Sequence, residues 1–178
     1  DFNERNTTLT VGIALEGMRL VANSLEIAHR EPTNEAARLE MLVASTMGAT
    51  AFQRGLGAMH ALAHPLGALY DAHHGALNAV LMPYVLVANE AVIAERIAAA
   101  ARYLALPSPT FAGFLDFVLG LRERLGIPHA LSGLGIDDTK LADIGERAVR
   151  DPSSGTNPIP FTSAQYDAIC RRALGGAL

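Results

Sequence analysis

Four of the six histidines lie within fifteen positions of one another, at His60, His64, His73 and His74. His60 and His64 are four residues apart, so on a helix both imidazoles leave the same face, one turn apart. Pro65 and the glycines that follow loosen the chain after Tyr70, which allows a second histidine source to fold back toward the first pair. Neutral imidazole nitrogens suit Fe, Zn, Cu and Ni. The stretch therefore indicates a possible metal site.

The same spacing permits a purely structural interpretation. Two histidines in an HxxxH pattern on an apolar helix can simply be packed and hydrogen-bonded, and a catalytic metal site usually takes three or more protein ligands with one position open. Two features favour the metal interpretation. The histidines are unusually dense, and small residues leave room around the rings at Ala58, Ala61, Ala63 and Ala68.

The pattern G-x-x-H-x-x-A-H-P-x-G-x-x-Y-x-x-x-H-G-x-x-N-A-x-x-x-P-x-V resembles the signature of the iron-containing (group III) alcohol dehydrogenases. It is formed here by Gly57, His60, Ala63, His64, Pro65, Gly67, Tyr70, His74, Gly75, Asn78, Ala79, Pro83 and Val85. Glu35 to Arg38 resembles an E-A-R helix start of that family. Asp151-Pro152 with Asn157-Pro158 resembles its DP…NP loop. The resemblance runs from about Gly12 onward and covers only the family's C-terminal helical domain.

The resemblance implies NAD(P)-dependent oxidation of alcohols or reduction of aldehydes. In that family an N-terminal α/β domain binds the dinucleotide, and the helical domain binds Fe²⁺, or sometimes Zn²⁺, through one aspartate and three histidines. The metal activates the alcohol, and hydride then passes from the alkoxide to nicotinamide. His60 and His74 match two of the metal ligands, and His64 matches a catalytic histidine for which proton transfer is proposed. Residues that could line the pocket are Met59, Gly67, Tyr70, His73 and Asn78.

Several expectations about activity follow from the resemblance. In the family, the aspartate and the first histidine lie on a helix just upstream of the one predicted first here. Neither that helix nor the dinucleotide domain is present in this sequence, so we expect no dehydrogenase activity from this chain by itself. A non-catalytic helical module with vestigial or weakly binding histidines is the alternative. The related maleylacetate reductases need a cation for their carboxylated substrate. Because Arg54 is the only arginine near the motif, we expect the substrate to be a small neutral alcohol or aldehyde.

Composition excludes several other classes of protein. Half of the 178 residues are hydrophobic, 18% are charged and the net charge is −4, which gives no basic surface for nucleic acid. The apolar run from Ala79 to Ala88 contains Pro83 and is too short to span a bilayer, so we expect no membrane insertion. The single cysteine, Cys170, fits a cytoplasmic protein. A homo-oligomer is compatible with the sequence.

Helical periodicity predicts an all-α domain of about seven to nine helices over residues 12–178, preceded by a divergent segment or cloning remnant at residues 1–11. The predicted helices start near Thr8 or Thr10, at Thr33, before His60, near His74, near Glu90, after Thr110, after Asp137 or Asp138, and after Thr162 or Ser163. Leu39, Leu42 and Val43 are predicted to face the core from the second helix. The charged residues of the sixth helix, including Arg122, are predicted to be solvated. His29 and His129 are predicted to be surface or loop residues.

Overall fold

The computed structural model describes residues 8–178, and these form seven α-helices and three short 3₁₀ helices without a β-strand. The all-α prediction is therefore confirmed. The α-helices are α1 (Thr8–Arg30), α2 (Glu35–Ala51), α3 (Ala58–Tyr70), α4 (His74–Tyr103), α5 (Phe111–Arg124), α6 (Ile144–Arg150) and α7 (Ser163–Gly175). The 3₁₀ helices are Phe52–Arg54, Leu131–Leu134 and Pro152–Thr156. The predicted division at residue 11 falls partly outside the described residues and stays a prediction.

Polar side chains fix where three of these helices begin. Thr110 accepts a hydrogen bond from Gly113 N–H at the start of α5, and Thr162 forms a capping box with Gln165 at the start of α7, as Ser and Thr caps do elsewhere. The second helix was predicted to start at Thr33, which is wrong. Asn34 accepts from Ala37 N–H at 3.1 Å, because its side-chain oxygen satisfies an unpaired amide of the first turn.

A single helix of 30 residues, α4, replaces the two helices predicted between His74 and Leu104. Asn89, at the predicted boundary, caps no second helix, because its side chain is buried and donates within α4 to Val85 O at 3.0 Å. Pro83 also lies within the helix and is buried against its neighbours. By length and composition α4 could cross a membrane, since an 18-residue window has a mean hydropathy of 1.6. Its apolar residues instead contribute to both hydrophobic cores of the fold.

The two cores divide the domain. The larger core joins α3 and the first half of α4 to α6, α7 and the 3₁₀ turn at Leu131–Leu134, and Ala61, Leu62 and Leu66 of α3 are fully buried in it. The smaller core joins the second half of α4 to α5, with Ile97 at its centre and Met18 of α1 packed against it. The larger core therefore surrounds the helix that carries the HxxxH pair.

The first two helices form a helical hairpin in which α1 packs along α2. Gly17 of α1 lies so close to α2 that an added Cβ would meet the Cβ of Met47 at 3.3 Å. Ala37, Ala44 and Ala51 are the buried residues of α2. The prediction for its larger side chains is wrong, since Leu39, Leu42 and Val43 are 62%, 67% and 42% exposed. Small residues face α1 because close helix packing needs them there, and the larger residues are left on the outer face.

Two further predictions are wrong. Asp137 does not cap a helix, because its side chain accepts hydrogen bonds from the backbone and the hydroxyl of Thr139 and closes a turn instead. Helix α6 starts later, at Ile144. Arg122 is buried, with 4% exposed, because its guanidinium donates to Val80 O at 3.1 Å and to His129 Nδ1 at 2.5 Å. The other charged residues of α5 are exposed, as predicted.

Candidate metal and catalytic site

His60, His64 and His74 converge on one cluster. Helix α3 supplies the first two, and the first residue of α4 supplies the third. The centroids of the His60 and His74 rings are 5.3 Å apart, those of His60 and His64 are 5.7 Å apart, and those of His64 and His74 are 5.4 Å apart with nearly parallel planes. The predicted convergence is thus present, although the chemical roles of the three rings stay predictions.

Asn78 connects two of the rings. Its Nδ2 lies 2.9 Å from His74 Nε2 and 3.3 Å from His60 Nε2. It lies one turn after His74, so the two side chains share a helix face. An amide nitrogen only donates, so both Nε2 atoms face it as acceptors, with their lone pairs directed at one point. Two imidazole lone pairs that meet at one point are what a cation site requires.

His60 is the most deeply placed of these rings. Burial, together with the neighbouring His74 and His64, lowers its pKa to about 4, so the ring is neutral at pH 7. Neutral imidazole is the form that binds a metal. Two buried polar atoms of the cluster, His60 Nδ1 and Asn78 Oδ1, have no hydrogen-bond partner among the described residues. Such atoms carry a free-energy cost unless another group satisfies them.

Asp151 holds His64. Its Oδ2 lies 2.8 Å from His64 Nδ1, and its side chain is 12% exposed. Burial raises the pKa of Asp151, but the hydrogen bonds from Ser153 and His64 outweigh that effect and hold the pKa below its usual value. The carboxylate is therefore ionised at neutral pH. Sequence reasoning did not assign Asp151 to the site, although the DP…NP pattern had singled out its loop.

The segment that carries Asp151, residues 151–157, also holds the start of α3, and we call it the clamp loop. Thr156 Oγ1 accepts from Leu56 N–H and Gly57 N–H at 3.1 and 3.2 Å, and Asn157 Oδ1 accepts from Ala58 N–H at 3.0 Å. Amides at a helix start have no partner within the helix, and here the partners come from a loop about a hundred residues away. The clamp loop therefore positions α3 and His64 together.

Asn157 extends this connection to α4. Its Nδ2 donates to Asn89 Oδ1 at 2.9 Å and to Ile159 O at 2.8 Å. Asn89 is 3% exposed and also donates to Val85 O. A buried amide pair with its hydrogen bonds made is rigid. It fixes the clamp loop, α3 and α4 relative to each other.

Glycine is required where the clamp loop meets the chain before α3. At Gly55, with φ +131°, an added Cβ would lie 2.4 Å from the Cβ of Thr156, and at Gly57, with φ +83°, it would lie 3.2 Å from Asn157 Oδ1. Side chains other than hydrogen are disfavoured by both the dihedral angle and the space. Gly55 and the motif residue Gly57 thus allow the close approach of the loop that holds His64.

The five predicted lining residues have separate positions. Met59 lines an apolar cavity of about 530 Å³ between the helical hairpin and α4–α5, to which Met82 also contributes and the three histidines do not. Gly67 faces Leu77. The Tyr70 hydroxyl donates to Asp137 O at 2.8 Å.

His73 caps α4, because its Nδ1 accepts from Ala76 N–H at 3.3 Å. It is exposed, which fits the interpretation of a loop histidine. Of the five predicted lining residues, Asn78 is the one that contacts the histidine cluster through hydrogen bonds.

The donor set for a metal is partial. Among residues 8–178 no group of three or more His, Cys, Asp or Glu side chains is arranged to hold a metal ion. His60 and His74 fit such an ion because their Nε2 atoms converge on one point. Asp151, the carboxylate found at the cluster, is bonded to His64 Nδ1. The chain thus offers two imidazole ligands, fewer than a catalytic site normally uses.

Known proteins share this sequence and fold. Residues 2–174 match the C-terminal part of the Fe-containing alcohol dehydrogenase family. The chain is 36% identical to a 4-hydroxybutyrate dehydrogenase of Cupriavidus necator and 33% identical to a 1,3-propanediol dehydrogenase of Klebsiella pneumoniae, over 92% and 93% of its length. It spans 44% of each of those proteins.

The solved structure of a 1,3-propanediol oxidoreductase superposes with a TM-score of 0.90 at 31% identity, over 97% of this chain and 47% of that one. Its agreement extends over the helices that carry the histidine cluster as well as the helical hairpin. The identity exceeds what fold similarity by itself would require, and the matched segment includes the whole motif from Gly57 to Val85. This chain belongs to the iron-containing alcohol dehydrogenase family and corresponds to its C-terminal part.

Proposed function

We propose that this chain is the metal-binding half of an NAD(P)-dependent alcohol dehydrogenase or aldehyde reductase. The observation that carries the proposal is the convergence of His60 Nε2 and His74 Nε2 on one point beside the His64–Asp151 pair. A metal ligand pair next to a held histidine provides both an electrophile site and a proton acceptor, which alcohol oxidation needs. The dinucleotide is proposed to bind mainly outside this chain, since residues 8–178 contain no strand–turn–helix phosphate site.

Each residue of the cluster has a proposed role. His60 and His74 hold Fe²⁺ or Zn²⁺ through Nε2, and Asn78 orients both rings. The cation supplies Lewis-acid polarisation of the substrate oxygen. His64 Nε2, the nitrogen that the bond to Asp151 leaves available, would accept the hydroxyl proton. A bound NAD(P)⁺ would supply the two-electron acceptor for the hydride of the carbinol carbon.

The substrate is proposed to be a small neutral alcohol or aldehyde. The ionised Asp151 carboxylate lies at the cluster, and a carboxylated substrate would be repelled by it. A specific observation favours the second candidate, a carboxylated substrate as in the maleylacetate reductases, because a relative at 36% identity is named for 4-hydroxybutyrate. That substrate would need a cation from outside the cluster.

Cysteine chemistry is not part of the proposal. Cys170 is buried, and burial raises the pKa of its thiol to about 12, so it supplies no thiolate at neutral pH. The cytoplasmic location and a homo-oligomeric state remain predictions. A non-catalytic helical module remains the competing function, and it differs in a measurable way because it requires no metal.

Metal binding is the first test. Calorimetric titration of the purified chain with Zn²⁺ is expected to give weak binding that falls at least about tenfold in His60→Ala, as loss of donors around a metal does. His29→Ala is the matched control, since that ring is exposed at the end of α1. Equal Zn²⁺ binding by both variants would favour the non-catalytic module.

Activity is the second test. The N-terminal part of the K. pneumoniae 1,3-propanediol dehydrogenase, joined to this chain, should reduce small aldehydes with NADH, whereas the isolated chain should not. Turnover should vanish in His60→Ala and persist in His29→Ala. A folded chimera that binds metal but reduces no aldehyde would contradict the enzymatic proposal. Preference for 4-hydroxybutyrate over 1,3-propanediol would favour the carboxylated substrate.

A further inference from the structure

The clamp loop presents one carboxylate to the histidine cluster. Asp151 Oδ2 is 2.8 Å from His64 Nδ1, while Asp151 Oδ1 is 2.8 Å from the backbone N of Ser153. Each carboxylate oxygen is thus assigned to a different nitrogen. The N–H of Ser153 can only donate, and an ionised carboxylate can only accept.

We propose that Asp151 is a positioning residue that fixes His64 in the tautomer with its proton on Nδ1, so that Nε2 is the proton-accepting atom. Because the carboxylate can only accept, a 2.8 Å contact to a neutral imidazole requires the proton on Nδ1. The part concerning proton transfer rests on the proposed function, whereas the tautomer itself does not. The motif from Gly57 to Val85 does not include Asp151.

Asp151 is well placed for this role because its position is fixed from three sides. Thr156 and Asn157 of the clamp loop bind the amides that start α3, two turns before His64. Asn157 is also bonded to Asn89 of α4. The carboxylate and the imidazole are therefore attached to one rigid frame. A group that fixes a tautomer must hold its geometry as well as its charge.

The two-oxygen arrangement predicts what asparagine would do in its place. An asparagine at position 151 has one acceptor oxygen. The backbone N–H of Ser153 can only donate, so it is expected to bond to that oxygen. The side-chain NH₂ then faces His64 Nδ1 as a donor, so Nδ1 must carry the lone pair and the proton moves to Nε2. The same inversion occurs when the aspartate of a Ser-His-Asp triad is replaced by asparagine.

The experiment is ¹⁵N NMR of the imidazole nitrogens in the metal-free chain, at about pH 8.5, where histidines are neutral. Proton-bearing and lone-pair nitrogens differ in chemical shift, and His64→Gln assigns the His64 signals by their loss. In the wild-type chain we expect the proton on Nδ1 of His64. In Asp151→Asn we expect it on Nε2. The control is Asp143→Asn, an exposed aspartate paired with Arg147 at 2.9 Å, which should leave the His64 signals unchanged.

Two outcomes would overturn the proposal. One is a wild-type His64 with its proton on Nε2, which needs no variant to detect and does not depend on whether Asp151→Asn folds. The other is an Asp151→Asn chain that folds and keeps the proton on Nδ1. Metal titration separates this proposal from the function proposed above. An inverted tautomer in a chain that binds no Zn²⁺ would support the role of Asp151 and contradict the metal site.

Discussion

The helical hairpin and the frame around the histidines are held in different ways. The frame consists of α3, α4 and the clamp loop, and partly buried hydrogen bonds join these segments across about a hundred residues, as between Thr156 and Leu56. The hairpin is tied internally by close helix packing. Two polar links from the hairpin to the rest of the described domain lie at the surface, from Tyr103 to Glu16 at 3.0 Å and from Arg124 to Glu26 at 2.7 Å.

Leucine side chains are also more deeply buried in the frame than in the hairpin. Leu62 and Leu66 of α3 are fully buried, whereas Leu39 and Leu42 of α2 are more than half exposed. An apolar cavity of about 530 Å³ separates the hairpin from α4–α5. Surface ion pairs contribute little stability, and a cavity removes dispersion contacts from its lining. The histidine cluster therefore lies in the more tightly packed region, where hydrogen bonds between segments and buried side chains support one another.

The largest expected difference comes from truncating one leucine in each region. Leu62→Ala should lower the free energy of unfolding by about 2–5 kcal/mol, because it leaves a cavity in a fully packed core. Leu42→Ala should change it by less than about 0.5 kcal/mol, since that side chain is mostly in solvent. Urea denaturation followed by circular dichroism measures both. Equal losses would show that the outer face of α2 is covered in solution.

A pair of glycines sharpens the same comparison. Gly55→Ala should lower the free energy of unfolding by about 2–4 kcal/mol, from the strained dihedral angle and the contact with Thr156. Gly48→Ala, in α2, has nothing within 4 Å of the added Cβ and should stabilise the chain by about 0.5–1 kcal/mol through helix propensity. The two variants should therefore move the urea midpoint in opposite directions. A stabilising Gly55→Ala would mean that the clamp loop does not approach this closely.

His60 connects burial to pH. Its pKa is about 6.5 when unfolded and about 4 in the folded chain, so the unfolded state takes up the proton first as the pH falls. Above pH 6.5 the ring is neutral in both states and the free energy of unfolding has its full value. Between pH 6.5 and 4 the free energy of unfolding falls, because the unfolded chain binds the proton and the folded chain does not. Allowing for the solvent-exposed part of the ring, the loss should be about 1–2 kcal/mol.

The variant His60→Gln isolates this effect in metal-free chain, because the carboxylates with lowered pKa values titrate at lower pH in both proteins. The wild-type free energy of unfolding should fall between pH 6.5 and 4 more steeply than that of His60→Gln. Parallel curves over that interval would show that His60 is as easily protonated in the folded chain as in the unfolded one.

What the sequence predicted well depends on local chemistry. Thr110 and Thr162 each precede an apolar run of helical periodicity, which is enough to predict them as caps. The HxxxH spacing places two rings on one helix face, independently of the surrounding structure. The cluster could be assembled from sequence because His74 follows α3 after a short turn. The all-α class follows from the same periodicity.

Three of the failures share a cause, since each depends on a partner distant in sequence. The sequence predicts Arg122 to be solvated, because it does not show that Val80 and His129 supply acceptors for the guanidinium. It predicts Leu42 to be a core residue, because it does not show that Ala44 faces α1 instead. Asp151 joins the site through a contact across 87 positions, which no local spacing encodes. Periodicity identifies an apolar face but does not identify its neighbour.

The smallest expected effect tests whether the hairpin opens independently. Asn34→Ala removes the cap of α2 and should cost about 1 kcal/mol. If the hairpin opens as a unit of its own, its amides should exchange faster than the slowest amides of α3 and α4 already in the unsubstituted chain, and loss of the cap should quicken them by about fivefold. Amides of α3 and α4 that exchange only by global unfolding should quicken by the same factor, because the cap is lost in the fully unfolded chain as well.

Ser163→Ala, at the partly exposed first residue of α7, is the matched control and should leave exchange in the hairpin unchanged. Native-state exchange read out by NMR resolves the two regions in one experiment. If the slowest amides of α1 and α2 exchange with the same free energy of opening as those of α3 and α4, the domain opens as a single cooperative unit. The hairpin and the frame would then share one stability, because the packing of Met18 against the smaller core would couple them more strongly than the intervening cavity separates them.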